Sequence, residues 1–432
     1  MRANELRGRR VAIWGFAREG RAALRFLRER DPGINITILD DAGGAAEVDA
    51  PLIVGRAAIT EAITGFDVVV KSPGISLYDP LVMHAQANGV RFTSLLNLWF
   101  ADAPACRTVC VTGTKGKSTT TALIAHILRG IGWNAIAAGN IGVPVTELPR
   151  DGLDAAVIEV SSYQAADFSG HCDIAVLTSL SQEHLDWHGS VAVYQRDKLN
   201  LLRHARQALI SRDALAAVGA TLDLGSLDHA VFTASAELHV NNRYLARPHN
   251  LSNLAGALAV VRSLGVDAAA GLRAAEDFPP LPHRQQEIGE AGGVLYVDDS
   301  ISTTPEATIA ALDAYRDRAV TVIIGGHDRG IDYAALVARL RAEPQPGIVL
   351  IDASGARIRI MLGDVTRVRV AASMTEAVIL ARAMTPSGGV VLLSPAAPSY
   401  GWYRNFVERG DDFARCVEGQ NRTSTPRLIP CA

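Results

Sequence analysis

The chain has few cysteines, and none stands in a working pattern. Cys106, Cys110, Cys172, Cys416 and Cys431 form no CxxC and show no metal-ligand spacing, so small buried hydrophobes or idle thiols are expected. No stretch reaches the ~18 uninterrupted apolar residues that a membrane span needs. The opening residues, Met1 to Gly8, lead into a strand pattern and not into a secretory apolar run, so a cytoplasmic protein is expected. Charge of neither sign predominates. A net charge of -3 gives no bulk attraction for nucleic acid. Internal repeats and low-complexity tracts are also missing. The tail from Gln420 to Ala432 is polar and contains proline, and no structure is expected of it.

What is present is the composition of a soluble globular enzyme: 432 residues, 48% hydrophobic and 20% charged, with 38 glycines. That length implies about two to four domains, because single cores stop growing well below it. Short β-branched runs alternate with helical patterns throughout. A first set holds Val11–Trp14, a helical stretch Arg18–Arg30, Asn35–Asp40 and Val68–Lys71. A second holds Thr108–Val111, Ala155–Glu159 and Ile174–Leu177. A third holds Val294–Val297, Val320–Ile324, Gly347–Ile351 and Val390–Leu393. Strand, turn, helix, strand in this order means parallel βαβ units. Three such sets imply an α/β protein of three domains. One boundary is expected near Phe100–Pro104. The other is expected in Phe278–Pro282, where three prolines exclude a helix interior.

The strongest motif is Val111-Thr112-Gly113-Thr114-Lys115-Gly116-Lys117-Ser118-Thr119-Thr120, between an apolar strand and a helix. Glycines let backbone N–H groups point at phosphate oxygens, and the helix N-terminus adds positive potential. Lys117 would reach the outer phosphates and Ser118 would touch Mg²⁺. Taken alone, a Gly/Thr turn that merely starts a helix remains an alternative. Glu159 ends a buried strand ahead of Ser161-Ser162-Tyr163-Gln164; a carboxylate there can hold Mg²⁺ through hard oxygen. Glu183-His184-Leu185-Asp186 follows, with Lys198 fourteen residues past His184. A lone His or helix Lys would ordinarily be structural or solvated.

Taken together, the G-T-x-G-K-S loop, the E-x-S-S-Y-Q segment and the E-H-x-D motif with its spaced lysine resemble the Mur ligase family. Asn250 and Asn253, Pro282-His283-Arg284, Asp299-Ser300 and Gly325–Gly330 fit the same pattern, in order, across essentially the whole chain. The resemblance implies a Rossmann-like UDP-binding domain (1–100), a central P-loop ATPase with a parallel sheet (101–280) and a Rossmann-like amino-acid-binding domain (281–432). It implies ATP and two Mg²⁺ as cofactors, with Lys198 carbamylated. Lys117, Lys198 and His184 take the catalytic positions. Gly113, Thr114, Lys115, Gly116, Lys117, Ser118, Thr119, Asn253, Arg284 and Asp299 match ATP-binding positions. Ser118, Glu159, His184 and Lys198 match metal positions.

Within the family the chain looks like the glutamate-adding members. Gly15, Arg18 and Glu19 of the strand–glycine–helix opening, Asp40 at the end of the second strand, Ser72-Pro73-Gly74, and Asn140 match contacts to the UDP-sugar acceptor, UDP-N-acetylmuramoyl-L-alanine. Thr303, Arg329, Ser399 and Phe406 match positions around glutamate. Two departures fall there. Ile301 stands where D-glutamate enzymes commonly carry lysine, and Gly401 stands where they carry aspartate. The combination resembles a branch that adds L-glutamate. The rivals are a D-glutamate ligase, a folylpolyglutamate synthase-like ligase and a non-catalytic nucleotide-binding protein. The 112 residues ahead of Gly113 speak against the second, and Glu159, His184 and Lys198 combined with Lys117 against the third. A monomer without nucleic-acid or membrane partners is expected.

Overall fold

In a computed structural model, residues 1–41, 48–102, 104–218, 227–235 and 237–423 are described. Ala103, Cys431 and the tail beyond Thr423 lie outside them. The chain forms two compact units, Met1–Phe278 and Pro279–Ala432.

The first unit carries two sheets. In the first, strands β1 (Arg10–Trp14), β2 (Asn35–Asp40), β3 (Leu52–Val54), β4 (Val68–Lys71) and β5 (Arg91–Thr93) lie in the order β3-β2-β1-β4-β5, all parallel. The helix Arg18–Arg30 buries Ala22, Ala23, Phe26 and Leu27 and turns Arg21, Arg25 and Arg28 outward or to the margin, an apolar stripe at helical spacing.

The second sheet holds β6 (Arg107–Thr112), β7 (Ala135–Gly139), β8 (Ala155–Glu159), β9 (Cys172–Leu177), β10 (Ala205–Ser211) and β11 (Asp228–Phe232). Their order is β11-β10-β9-β6-β8-β7, again all parallel. From β6 the chain builds β7 and then β8 on one side and crosses to β9 on the other. The loop after β6 therefore opens into the crevice that such a reversal creates. One apolar core runs through both sheets. The helix Leu95–Ala101 lies within it, and the Phe100 ring meets Phe168 edge-on at 5.0 Å.

The second unit has one sheet, with β12 (Gln286–Ala291), β13 (Val294–Asp298), β14 (Val320–Ile324), β15 (Gly347–Ile351), β16 (Val368–Ala371) and β17 (Val390–Leu393). Its order is β12-β13-β17-β14-β15-β16. Only the β12–β13 pair is antiparallel. Separate apolar clusters cover the two faces. The central strands read as unbroken apolar runs because both faces are buried.

The C-terminal helix corrects one expectation. It runs Phe406–Thr423, so Gln420 to Thr423 are helical. Buried Phe413 and Val417 anchor the helix upstream and carry it past the point where the sequence turns polar. Among the described residues no helix is long and apolar enough to cross a membrane.

Candidate functional site

The loop after β6 is shaped by two glycines that no other residue could replace. Gly113 has φ +149°, and a Cβ there would lie 2.1 Å from Thr178 Oγ1. Gly116 has φ +85°, and its Cβ would lie 2.3 Å from Asn253 Oδ1. Thr114 N donates to the Ser179 carbonyl at 2.9 Å, and Lys115 N donates to Ser179 Oγ at 2.7 Å. Thr114 Oγ1 lies 2.7 Å from the Tyr194 hydroxyl. The helix Lys117–Gly130 starts directly from Gly116, with Ser118 and Thr119 buried in its first turn. Lys117 Nζ folds back to the Thr114 carbonyl at 2.9 Å, over the loop it would serve. Asn253, on the helix Pro248–Ser263, accepts from Thr120 Oγ1 at 3.3 Å and donates to Asn250 Oδ1 at 3.1 Å.

Three further candidates converge on this loop. Glu159 pairs in register with Val111, two residues before Gly113. It is 2% exposed. Its Oε1 accepts from Asn140 Nδ2 at 2.9 Å, while its buried Oε2 has no hydrogen-bond partner. Lys198, on the helix Val191–Arg203, is also 2% exposed and donates to the Gly113 carbonyl at 2.7 Å. Burial, with Lys117 nearby, holds its amine well below the ordinary lysine range. His184 takes a left-handed backbone, φ 55°, and its Nδ1 lies 2.9 Å from the Tyr163 hydroxyl. Burial depresses its pKa, favouring the neutral imidazole that ligates metals.

Glu183 was not among the sequence candidates, although it opens the E-H-x-D motif. It pairs with Lys115 at 2.7 Å. Burial works against its charge, but Lys115, His184 and Lys117 leave its carboxyl below the usual range. Among the described residues no group of three or more His, Cys, Asp or Glu could hold a metal. The donor set is instead mixed. A buried carboxylate oxygen without a partner and a hydroxyl at a helix start suit a hard divalent cation.

The acceptor candidates gather at the ends of β1, β2 and β4, except Asn140, which follows β7 in the second sheet. Gly15 has φ +86°, and Ser72 Oγ donates to its carbonyl at 2.6 Å. Asp40 is buried at the end of β2. Arg18 donates to the Gly142 carbonyl, and Glu19 accepts from Gln164 Nε2 at 2.8 Å, which ties this sheet's opening helix to the central one. Burial raises the Glu19 pKa. Pro73 offers its carbonyl to the Trp187 indole at 3.1 Å, and Gly74 faces open space.

The remaining candidates belong to the second unit, at the C-terminal ends of β13, β14 and β17. Arg284 N donates to the Leu281 carbonyl at 3.2 Å. Asp299 is 3% exposed, and burial pushes its carboxyl up to about 7 despite hydrogen bonds from Ser302, Ser394 and the Gln285 amide. Arg329 donates to the Thr303 carbonyl at 3.3 Å. Ser399 is buried, and Phe406 opens the last helix, its ring 6.0 Å from His283.

Two residues here escaped the sequence reading. Arg409 is fully buried. It donates to Ser300 Oγ, to the carbonyls of Ser300 and Ala397, and at 3.5 Å to that of Gly325, so it gathers three strand ends. Burial lowers its pKa to about 10. An arginine in a polar helix gave no sign of this. Asp352 stands after β15 with φ 55°, and a Cβ on Gly401 would lie 3.0 Å from its Oδ2. The space beside Gly401 is thus already filled by a carboxylate.

Residues 111–218 match the Mur ligase middle domain, and residues 283–397 match the Mur ligase glutamate ligase domain. The UDP-N-acetylmuramoyl-L-alanine--L-glutamate ligase of Xanthomonas euvesicatoria pv. vesicatoria is 41% identical, covering 96% of this chain and 96% of that one. The ligase of the same name from Salinispora tropica is also 41% identical, covering 96% and 99%. The chain belongs to the Mur ligase family. Solved Mur ligases share the fold. The UDP-N-acetylmuramate-alanine ligase MurC of Thermotoga maritima superposes with TM-score 0.59 at 18% identity, over 95% of this chain and 100% of that one. The MurF ligase of Thermotoga maritima, solved in complex with ADP, gives 0.60 at 14% identity, over 98% and 97%. The matched middle-domain segment takes in the phosphate loop, Glu159, His184 and Lys198. The matched glutamate ligase segment takes in Arg284, Asp299, Thr303 and Arg329, and ends at Ala397, just ahead of Ser399.

Proposed function

We propose that this Mur ligase joins L-glutamate to UDP-N-acetylmuramoyl-L-alanine at the expense of ATP, a step of peptidoglycan precursor synthesis in the cytoplasm. The observation that carries the reading is the buried Lys198 amine, 2.7 Å from the Gly113 carbonyl of a phosphate loop that also holds Lys117. The L-glutamate ligases that match at about 41% identity along nearly their whole length support the choice of substrates.

Residues 1–100 would bind the UDP portion, 101–280 the ATP and 281–432 the amino acid. A single chain carries all three, so a monomer suffices. The terminal phosphoryl of ATP passes to the alanine carboxylate, giving ADP and an acyl phosphate. The glutamate amine attacks the acyl carbon, the C–O bond to phosphate breaks, and inorganic phosphate leaves with a proton released from the amine. Phosphoryl transfer of this kind depends on positioning and charge neutralisation. The loop amides, Lys117 and Asn253 would cradle the phosphates, and Arg284 and Asp299 match positions that bind ATP in the family. Ser118 and Glu159 would hold one Mg²⁺, and His184 with a carbamylated Lys198 a second. When bound, these ions supply positive charge beside the transferring group. The lowered basicity of the Lys198 amine favours its neutral form, which is the form that combines with carbon dioxide. Gly15, Arg18, Glu19, Asp40, Ser72–Gly74 and Asn140 would orient the acceptor; Thr303, Arg329, Ser399 and Phe406 would hold glutamate.

The handedness follows from Ile301 and Gly401. Inverting the α-carbon while keeping the amine aimed at the acyl phosphate moves at least one carboxylate, so its partners must come from elsewhere. Mispaired buried charge of a few kcal/mol gives discrimination on the order of a hundredfold. Initial rates with each enantiomer at equal concentration test this. L-Glutamate should be preferred about a hundredfold or more; a preference for D-glutamate would restore the ordinary ligase.

A further inference from the structure

The segment after β4, Ser72 to Asp79, is fastened to the central sheet's loops by side chains that the phosphate chemistry does not use. The Trp187 indole N–H donates to the Pro73 carbonyl at 3.1 Å. Ser76 Oγ donates to the Trp187 carbonyl at 2.8 Å. The Tyr78 hydroxyl lies 2.7 and 2.8 Å from the two Asp197 oxygens. Asp197 is 4% exposed and also takes His188 Nδ1 at 2.7 Å, with the Arg196 guanidinium at 3.3 Å.

Two lines of contact therefore start from the segment that begins with the acceptor-binding candidates Ser72–Gly74. One passes through Tyr78 and Asp197 onto the helix Val191–Arg203, which carries Lys198. The other passes through Trp187, stacked on Tyr163 at 4.8 Å, and from the Tyr163 hydroxyl to His184 Nδ1 at 2.9 Å.

Packing alone does not call for this arrangement. A buried carboxylate costs free energy unless several donors surround it, and an apolar residue would fill the position more cheaply. Successive helix residues face directions about 100° apart. Asp197 thus anchors one face to the Tyr78 segment, while Lys198 anchors another to the Gly113 carbonyl. Any rotation of the helix disturbs both anchors. The phenol keeps its proton as donor, its pKa pushed up to about 12 by burial and by the Asp197 carboxylate.

We infer that Tyr78 and Asp197 are positioning residues: they set the register of the Lys198 helix against the acceptor-binding segment, so that binding of the UDP-sugar acceptor is felt at Lys198. The inference rests on the reading of Ser72–Gly74 as acceptor contacts and of Lys198 as part of the reaction centre.

Hydrogen–deuterium exchange of the full chain tests it, with UDP-N-acetylmuramoyl-L-alanine added and nucleotide and metal left out. In the unaltered protein the acceptor should slow exchange in peptides covering Val191–Arg203. Tyr78→Phe should still bind the acceptor, seen by calorimetry, yet lose that protection. Its kcat should fall about tenfold while KM for ATP holds, a coupling of ordinary allosteric size. Asp197→Asn, which keeps an oxygen for the tyrosine, should fall less. The losses of protection in Tyr78→Phe and Asp197→Asn should overlap in the double variant and not add, because both pass through the Tyr78–Asp197 contact, while the altered pairing of Asp197 with His188 and Arg196 is read separately as a lower melting temperature. If the unaltered protein binds the acceptor with no change in the helix, the inference is overturned and the ligase reading stands. If Tyr78→Phe keeps both kcat and protection and loses only thermal stability, the contact is merely structural and the inference is again overturned. If the unaltered protein shows no binding heat, the acceptor-site reading fails and takes the inference with it.

Discussion

Sequence spacing brought Lys198 and His184 to notice, but only burial explains what the lysine can do. A solvated lysine is protonated and inert toward carbon dioxide, whereas this amine is enclosed and depressed. Lys198→Ala should therefore abolish most ligation, and short carboxylic acids should partly restore it by filling the vacated place; full activity in the alanine variant, or no rescue in initial-rate assays, would count against that role. Asp299 makes a second residue-scale prediction. Its folded-state pKa, about 7, lies above the unfolded value near 3.8. The native state therefore binds the proton more tightly. Its contribution to stability is fully present below the unfolded value and is lost as pH rises through about 7. Asp299→Asn should then raise thermal stability relative to the parent at pH 8 and lose that advantage near pH 4, a difference on the order of a few kcal/mol. Parallel melting curves at the two pH values check it, and an advantage independent of pH would contradict it. Arg409 and Asp352 were missed at this scale because each owes its setting to loops brought together by the fold, which spacing along the chain does not reveal. Glu183 stood in plain view as the first residue of the E-H-x-D motif, but its pairing with Lys115 did not.

At the scale of elements, unbroken apolar runs were legible, while short strands and strands of mixed polarity, among them the seven-residue β10 and the largely exposed β11 and β12, were not. The Val/Ile-rich runs that became β4, β8 and β14 are buried on both faces and announce themselves. Strands β3 and β5 have only three residues each and sit at sheet edges, and β7 is alanine-rich, so neither periodicity nor composition marks them. Gln420–Thr423 went the other way, since a helix already anchored by Phe413 and Val417 continues through polar residues. The phosphate loop was read correctly as a turn opening a helix, but its glycines prove to have partners outside the loop. Gly116 is held against Asn253 from a helix more than a hundred residues later. Gly116→Ala should force that asparagine away and strain a positive φ, which costs of order 1–3 kcal/mol. ATP-dependent turnover should fall by at least about tenfold, with the melting temperature lowered as well. Unchanged kinetics in the alanine variant would show that the loop tolerates a Cβ and that the packing argument is wrong.

For the whole molecule, the reaction demands more than either compact unit supplies. The phosphate loop and Lys198 lie in Met1–Phe278, and the glutamate candidates lie in Pro279–Ala432. An acyl phosphate is short-lived in water, so its carbonyl and the glutamate amine must be brought within reacting distance in an enclosed space. The junction at Phe278 and Pro279 is followed by Pro280 and Pro282. Such a stretch fixes local φ angles and cannot continue a helix, so a change of direction there is confined to a few torsions, as in a hinge. Small-angle scattering should show a smaller radius of gyration when an ATP analogue and UDP-N-acetylmuramoyl-L-alanine are both present than with either alone. Binding energy from both substrates is then spent on closure. Replacing Pro280 and Pro282 by glycine should leave acceptor binding to the first unit unaltered. It should lower kcat by about tenfold, because a looser joint holds the closed state less of the time. Equal radii in all four mixtures, apo included, would mean that the two units meet without closure and that the prolines serve only as a spacer.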